Sequence, residues 1–117
     1  MRLGYLGKEK KMITKGTTAN GFNFEYDNDL FADWEIMDWF TEILEIQDKP
    51  EDKRTNEDNM TLLRDMYSII HRLFNREQIA SWKETNRDEN GKVVPEYMWS
   101  DFQKIFLESE DKEVKNS

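Results

Sequence analysis

Residues 55–78 read TNEDNMTLLRDMYSIIHRLFNREQ, and this stretch decides the fold class. Met60, Leu63, Met66, Tyr67, Ile70, Leu73 and Phe74 recur at i, i+3 and i+4 spacing, the period of an amphipathic helix. Thr55 or Asn56 supplies an N-cap whose side-chain oxygen satisfies the first free N–H groups. Asn75-Arg76-Glu77-Gln78 then has the Asn-x-x-Gln form of a capping box, so a second helix starts at once and the two meet at a sharp corner. Leu63, Met66, Ile70 and Leu73 are the expected core positions of the long helix.

Working outward, the helix after the corner spans about Arg76 to Thr85 and presents Ile79 and Trp82 inward. Asn90-Gly91 marks a tight turn and Val93-Val94 a brief extended piece. Pro95 suits the first position of a last helix, about Pro95 to Glu108, which aligns Met98, Phe102, Ile105 and Phe106. Upstream, Asp27, Asn28 and Asp29 offer caps to a helix from about Leu30 to Gln47, ended by Pro50 and the polar run 48–58. Before it, Phe22-Asn23-Phe24-Glu25-Tyr26 alternates apolar and polar in the manner of a strand. It either pairs with 12–18 as a hairpin across the Ala19-Asn20-Gly21 turn or lies extended over helices. The sequence therefore predicts a mainly α domain over residues 12–108, about four helices packed as a small orthogonal or irregular bundle with a short N-terminal β element. Residues 1–11 read as a flexible segment, with Met12 as an alternative start, and 109–117 as a disordered tail.

Composition excludes several classes. The chain has 117 residues and no cysteine, which removes disulfides, thiolate metal sites and thiol nucleophiles. No apolar run approaches the roughly 18 residues of a membrane span, so no membrane partner is expected. The net charge of −8 opposes direct nucleic-acid binding, which needs a basic footprint. The acidity is local: residues 25–52 hold eleven acids against Lys49 alone, whereas residues 1–24 are basic. Such a field either speeds encounter with a basic partner or simply solubilises an outer helix face.

The catalytic inventory is thin. His71 is the only histidine, and neither a Gly-x-Ser-x-Gly elbow nor a glycine-rich phosphate loop occurs, so no enzymatic activity and no cofactor are expected. Asp38 and Glu42 stand at i, i+4, a spacing that serves acid–base work only in a cleft and otherwise marks a solvated face. Asn86, Asp88, Asn90, Gly91 and Val93 fall at positions one, three, five, six and eight of a calcium loop. Position twelve, which must be a bidentate Glu, is Tyr97, and no metal is expected.

The first helix carries more apolar residues than one core-facing stripe uses. Part of Trp34, Ile36, Trp39, Phe40 and Ile43 is therefore expected to form an exposed or self-associating surface, with Glu35, Asp38 and Glu42 beside it orienting a partner.

Ile69 to Gln78, Arg87-Asp88-Glu89-Asn90-Gly91-Lys92-Val93 and Met98 to Phe106 resemble the tail assembly chaperones of long-tailed, siphovirus-type bacteriophages and prophages. In that family a helix ending in an apolar pair runs into a Glu-Gln helix start, then an acid-Gly-base-Val turn and a final amphipathic helix. The likeness extends in layout over residues 20–108, with Asn75 where members often have glycine and with more tryptophans than usual. The resemblance implies a protein of the bacterial host cytoplasm that coats the apolar helical segments of the tape-measure protein before tail-tube polymerisation. Its partners would be the tape-measure protein and the tail-tube protein, and it would be absent from the mature virion. A competing reading is an acidic nucleic-acid mimic that blocks a host defence or DNA-binding protein. The mimic requires an ordered line of carboxylates and the chaperone an exposed apolar strip.

Overall fold

The computed structural model describes residues 13–29 and 32–108. The expectations for residues 1–11 and 109–117, and the positions of Leu30 and Phe31, lie outside the described residues. Strands β1 (Ile13–Thr17) and β2 (Asn23–Asp27) form an antiparallel hairpin, with Gly16 opposite Phe24. Its turn closes through Thr18, whose N–H donates to Phe22 O at 2.8 Å and whose carbonyl accepts from Gly21 N–H at 3.0 Å; Gly21 supplies the positive φ. Gly16 has a second reason: a Cβ there would lie 2.4 Å from the Phe24 ring. Period-two alternation places Phe22, Phe24 and Tyr26 on the face that meets the helices.

Helix α1 spans Trp34–Gln47 and α2 Asn56–Leu73. Lys49–Asp58 at 2.9 Å, Arg64–Glu42 at 3.8 Å and Arg72 with Asp33 and Glu35 link the two at successive levels, so they run antiparallel. The cap of α1 is Asp33, which accepts from Glu35 N–H at 3.0 Å, so the helix begins four residues later than the Asp27-Asn28-Asp29 caps imply. The α2 cap is a reciprocal pair: Thr55 Oγ1 accepts from Asp58 N–H at 3.0 Å and Asp58 accepts from Thr55 N–H at 3.1 Å. Asn75 and Gln78 repeat the device at the start of α3 (Arg76–Glu84), while the end of α2 closes through the Phe74 N–H donating to Ile70 O at 2.9 Å. Pro95 occupies the first turn of α4 (Pro95–Phe102), which runs on into a wider π turn over Gln103–Leu107. The mainly α class with a short N-terminal β element is the fold. No helix among the described residues is long and apolar enough to cross a membrane.

The core is aromatic at its centre. Phe22 stacks on Trp82 with ring centroids 4.9 Å apart, Phe74 meets both edge-on, and Tyr26 contacts Phe74 and Phe106. Offset and edge-to-face pairs of this kind add to the large area each ring buries. Ile43, Ile69 and Phe102 are fully buried around this centre.

One expectation about α2 is corrected. Met66 and Ile70 are buried and Leu73 is half-buried, but Leu63 is 38 % exposed, and the buried set includes Leu62 and Ile69 instead. The helix carries two apolar arcs that overlap at the edges, and the arc containing Leu62, Met66, Ile69 and Leu73 is the one that meets α1, α3 and α4.

Ile70→Ala is expected to cost about 2–5 kcal/mol in urea denaturation, and Leu63→Ala less than about 1 kcal/mol. Equal losses at the two sites would contradict the assigned helix rotation.

Candidate interaction surface

The eight α1 residues expected to face a partner separate into three groups. Ile36 and Ile43 are buried in the core, so neither faces a partner; this corrects the expectation for both. Phe40 is half-buried, stacked on Phe102 at 6.0 Å and edge-on to Phe106 at 5.8 Å. Phe40 is thus absorbed within the fold by the final helix and its π turn, whereas Leu44 on the same helix stays 55 % exposed. Trp39 is half-buried under the Arg72 guanidinium, 5.1 Å from the ring centroid. Asp33 and Glu35 both accept from Arg72 and hold it there. The Arg72 hydrogen bond lowers the Asp33 carboxyl below its ordinary value, with the Glu35 and Ile36 N–H groups adding to the effect. Trp34, 72 % exposed, and the exposed Asp38 remain open to solvent, while Glu42 faces Arg64.

A row of three exposed apolar side chains lies on α2. Met60 is 71 % exposed and Tyr67 62 %, with Leu63 between them. Their i, i+3, i+7 spacing puts them in one row on the side of the helix away from the core. His71 continues the row one turn later, its ring stacked on Tyr67 at 3.9 Å. The His71 Nδ1–H donates to the Tyr67 carbonyl at 2.9 Å, because a carbonyl only accepts, which leaves Nε2 for another partner. The helical spacing of the sequence shows this row, but spacing alone places it in the interior.

Past His71 the surface opens into a cleft of about 550 Å³ between the end of α2 and the outer side of α3. Phe74, Ile79 and Ala80 contribute apolar lining, and Arg76, Lys83 and Arg87 contribute cations. Glu84 is the one carboxylate among the lining residues; Arg87 donates to it at 2.8 Å and to Gly91 O at 2.7 Å. That bond lowers the Glu84 carboxyl and raises the Arg87 guanidinium. Arg76 and Lys83 have no ion-pair partner among the described residues.

The residues resembling a calcium loop are engaged elsewhere. Asn86 is fully buried; its amide donates to Asp101 at 2.8 Å and its carbonyl oxygen accepts from Asn20 at 2.8 Å. Asp88 accepts from the N–H groups of Asn90 and Lys92 at 2.8 and 3.0 Å, shaping the turn at Gly91. Among the described residues no three His, Asp or Glu side chains are grouped to hold a metal ion.

Between α1 and α2 sits a buried carboxyl, Asp65, whose Oδ2 has no hydrogen-bond partner and whose Oδ1 lies 3.7 Å from Arg64. Burial pushes it up from 3.8 to about 7, the neighbouring Glu42 adds to the push, and Arg64 opposes it. The protonated form is therefore the one the fold favours below about pH 7, since it places no second negative charge in a buried position near Glu42. The folded state binds this proton more tightly than the unfolded chain does. Stability from this group is complete below about pH 4 and is lost as pH rises through about 7.

Asp65→Asn, which keeps a donor without a charge, is expected to remove that slope and to stabilise the fold by about 1–2 kcal/mol above neutral pH, read from urea denaturation across pH. Destabilisation by Asp65→Asn at high pH would contradict the buried-acid account.

No protein-family model matches this chain, and no curated protein or solved structure matches it either.

Proposed function

We propose that this chain is a tail assembly chaperone of the kind made by long-tailed bacteriophages and prophages, which covers the apolar helical stripe of a tape-measure protein before tail-tube polymerisation. The observation that carries this reading is the row Met60, Leu63 and Tyr67, exposed on a helix whose other side supplies the core. An elongated client helix in water needs its apolar stripe covered, and a matching row on a second helix does so by side-to-side packing. Methionine and tyrosine suit such a surface, because Met60 repacks on varied partners and Tyr67 offers a large rigid face at small entropic cost. The layout of capped corner, Asn-Gly turn and final amphipathic helix, which resembles that family, adds support. On this reading the protein acts in the bacterial host cytoplasm, the tail-tube protein is the second partner, and the same row would mediate self-association when no client is present.

The acidic-mimic reading draws less support from the geometry. Asp33 and Glu35 hold Arg72, Asp58 holds Lys49 and Glu42 faces Arg64, so these carboxylates near α1 are tied to cations. That leaves Asp38 and Glu45 as the exposed acids of the helix with no ion pair among the described residues.

The test is co-expression with the tape-measure protein of the same genome followed by affinity capture. Tyr67→Ala is expected to weaken capture by about 2 kcal/mol, as for an aromatic hot spot, without lowering the melting temperature by more than a few degrees. Asp38→Asn with Glu42→Gln is expected to slow association and flatten its salt dependence. The mimic predicts the reverse, with capture of a DNA-binding protein lost on neutralising the acids and unchanged by Tyr67→Ala.

A further inference from the structure

We infer that the cleft between the end of α2 and α3 receives the acidic end of an amphipathic helical partner, the partner whose apolar side the proposed reading lays along Met60, Leu63 and Tyr67. The inference rests on that reading for the apolar contact. The charge contact stands on separate observations.

The first is charge. In a chain of net charge −8, the lining of this cleft brings together Arg76, Lys83 and Arg87 with one carboxylate, and that carboxylate is already bonded to Arg87. Arg76 and Lys83 stand two turns apart on the same side of α3, without an ion-pair partner among the described residues. Two spaced cations match two acidic side chains at similar spacing on a facing helix. A guanidinium also meets a carboxylate with two parallel hydrogen bonds.

The second is continuity. His71 belongs both to the row, through its stack on Tyr67, and to the lining of the cleft. Met60 to His71 covers about 16 Å of helix, so a partner helix of three or four turns reaches from the apolar row into the cleft.

The third is the form of the cleft. Phe74, Ile79 and Ala80 give it apolar lining, and its volume of about 550 Å³ suits several side chains rather than a lone ion. The N–H of Gln78 in the first turn of α3 is already taken by Asn75, which removes one donor that a free phosphate would use. Because the cations are exposed, their contribution is orientation and selectivity more than affinity. The partner is held with its acidic end toward the corner at Phe74, which fixes its direction along α2.

The experiment uses the full 117-residue chain and two dye-labelled helical peptides, followed by fluorescence anisotropy. Both peptides carry leucines at i, i+3 and i+7; one ends in paired glutamates and the other in paired glutamines. The glutamate peptide is expected to bind about tenfold more tightly at low salt, with the preference lost at high salt. Arg76→Gln with Lys83→Gln is expected to abolish the preference and leave affinity for the glutamine peptide unchanged. Tyr67→Ala is expected to weaken both peptides alike. Equal affinity of the two peptides for the unaltered chain overturns the inference, as does a preference that survives the double substitution. Displacement of the glutamate peptide by duplex DNA at stoichiometric concentration also overturns it and assigns the cleft to nucleic acid. If the preference requires Arg76 and Lys83 while Tyr67→Ala and Leu63→Ala change neither affinity, the cleft assignment stands and the apolar-row reading fails. Failure of both peptides to bind contradicts both.

Discussion

The buried carboxylate of Asp101 holds together parts of the chain that lie far apart in sequence. Its Oδ2 accepts from Trp82 Nε1 at 2.9 Å and from Asn86 Nδ2 at 2.8 Å, and Asn86 in turn accepts from Asn20 in the hairpin turn. Asp101, Trp82 and Asn86 are all shielded from solvent, so each of these bonds forms where water competes weakly and a missing partner would be costly. The network fixes the plane of the Trp82 ring. That plane is the surface on which Phe22 stacks, and Phe22 leads the strand whose Phe24 and Tyr26 complete the contact with the helices. A two-stranded hairpin has little stability alone. Here it is held by an aromatic face and by one polar link through Asn20.

That arrangement decides how the helical faces are used. With Trp82, Phe74 and Phe102 at the centre, α2 must turn its Leu62, Met66 and Ile69 side inward, and its Met60, Leu63 and Tyr67 side then has nothing left in the described fold to cover it. Helix α1 has a mixed outcome, with Trp34 and Leu44 left exposed and its other apolar side chains wholly or partly covered. Ile36 and Ile43 enter the core, Phe40 packs on Phe102 and Phe106, and Arg72 covers Trp39 with help from Asp33 and Glu35. Trp34 and Leu44 of α1 still stay exposed, while its neighbour exposes Met60, Leu63 and Tyr67 in one row. The acids of α1 anchor the cations of α2.

What is legible in the sequence is what local chemistry decides. The N-cap at Thr55, the capping box at Asn75 and Gln78, Pro95 in the first turn of α4, the Asn90-Gly91 turn and the alternating strand follow from contacts within a few residues. What is not legible depends on which element lies opposite. The rotation of α2 is of this second kind, because Leu62 and Ile69 lie between positions that also keep helical spacing, and choosing between two overlapping arcs needs the partner surface. Asn86 resembles a metal ligand because Asn, Asp and Gly also make turns; only the presence of Asp101 and Asn20 beside it shows a structural use. The basic cleft is hidden when charge is totalled over long segments. Arg76 and Lys83 fall about two helical turns apart on α3, and that signal is visible once the charges are placed on a helix rather than summed; Arg87 joins them from the loop after the helix.

The claim that the outer row of α2, and not α1, meets the client is tested most directly by site-specific photo-crosslinking. A benzophenone side chain is placed at position 67 in one variant and at position 34 in another, and each is irradiated in cells that also make the tape-measure protein. The account predicts crosslinks to the client from position 67, lost when Met60 and Leu63 are both changed to aspartate, and few from position 34. Strong crosslinking from position 34 with none from position 67 would contradict it.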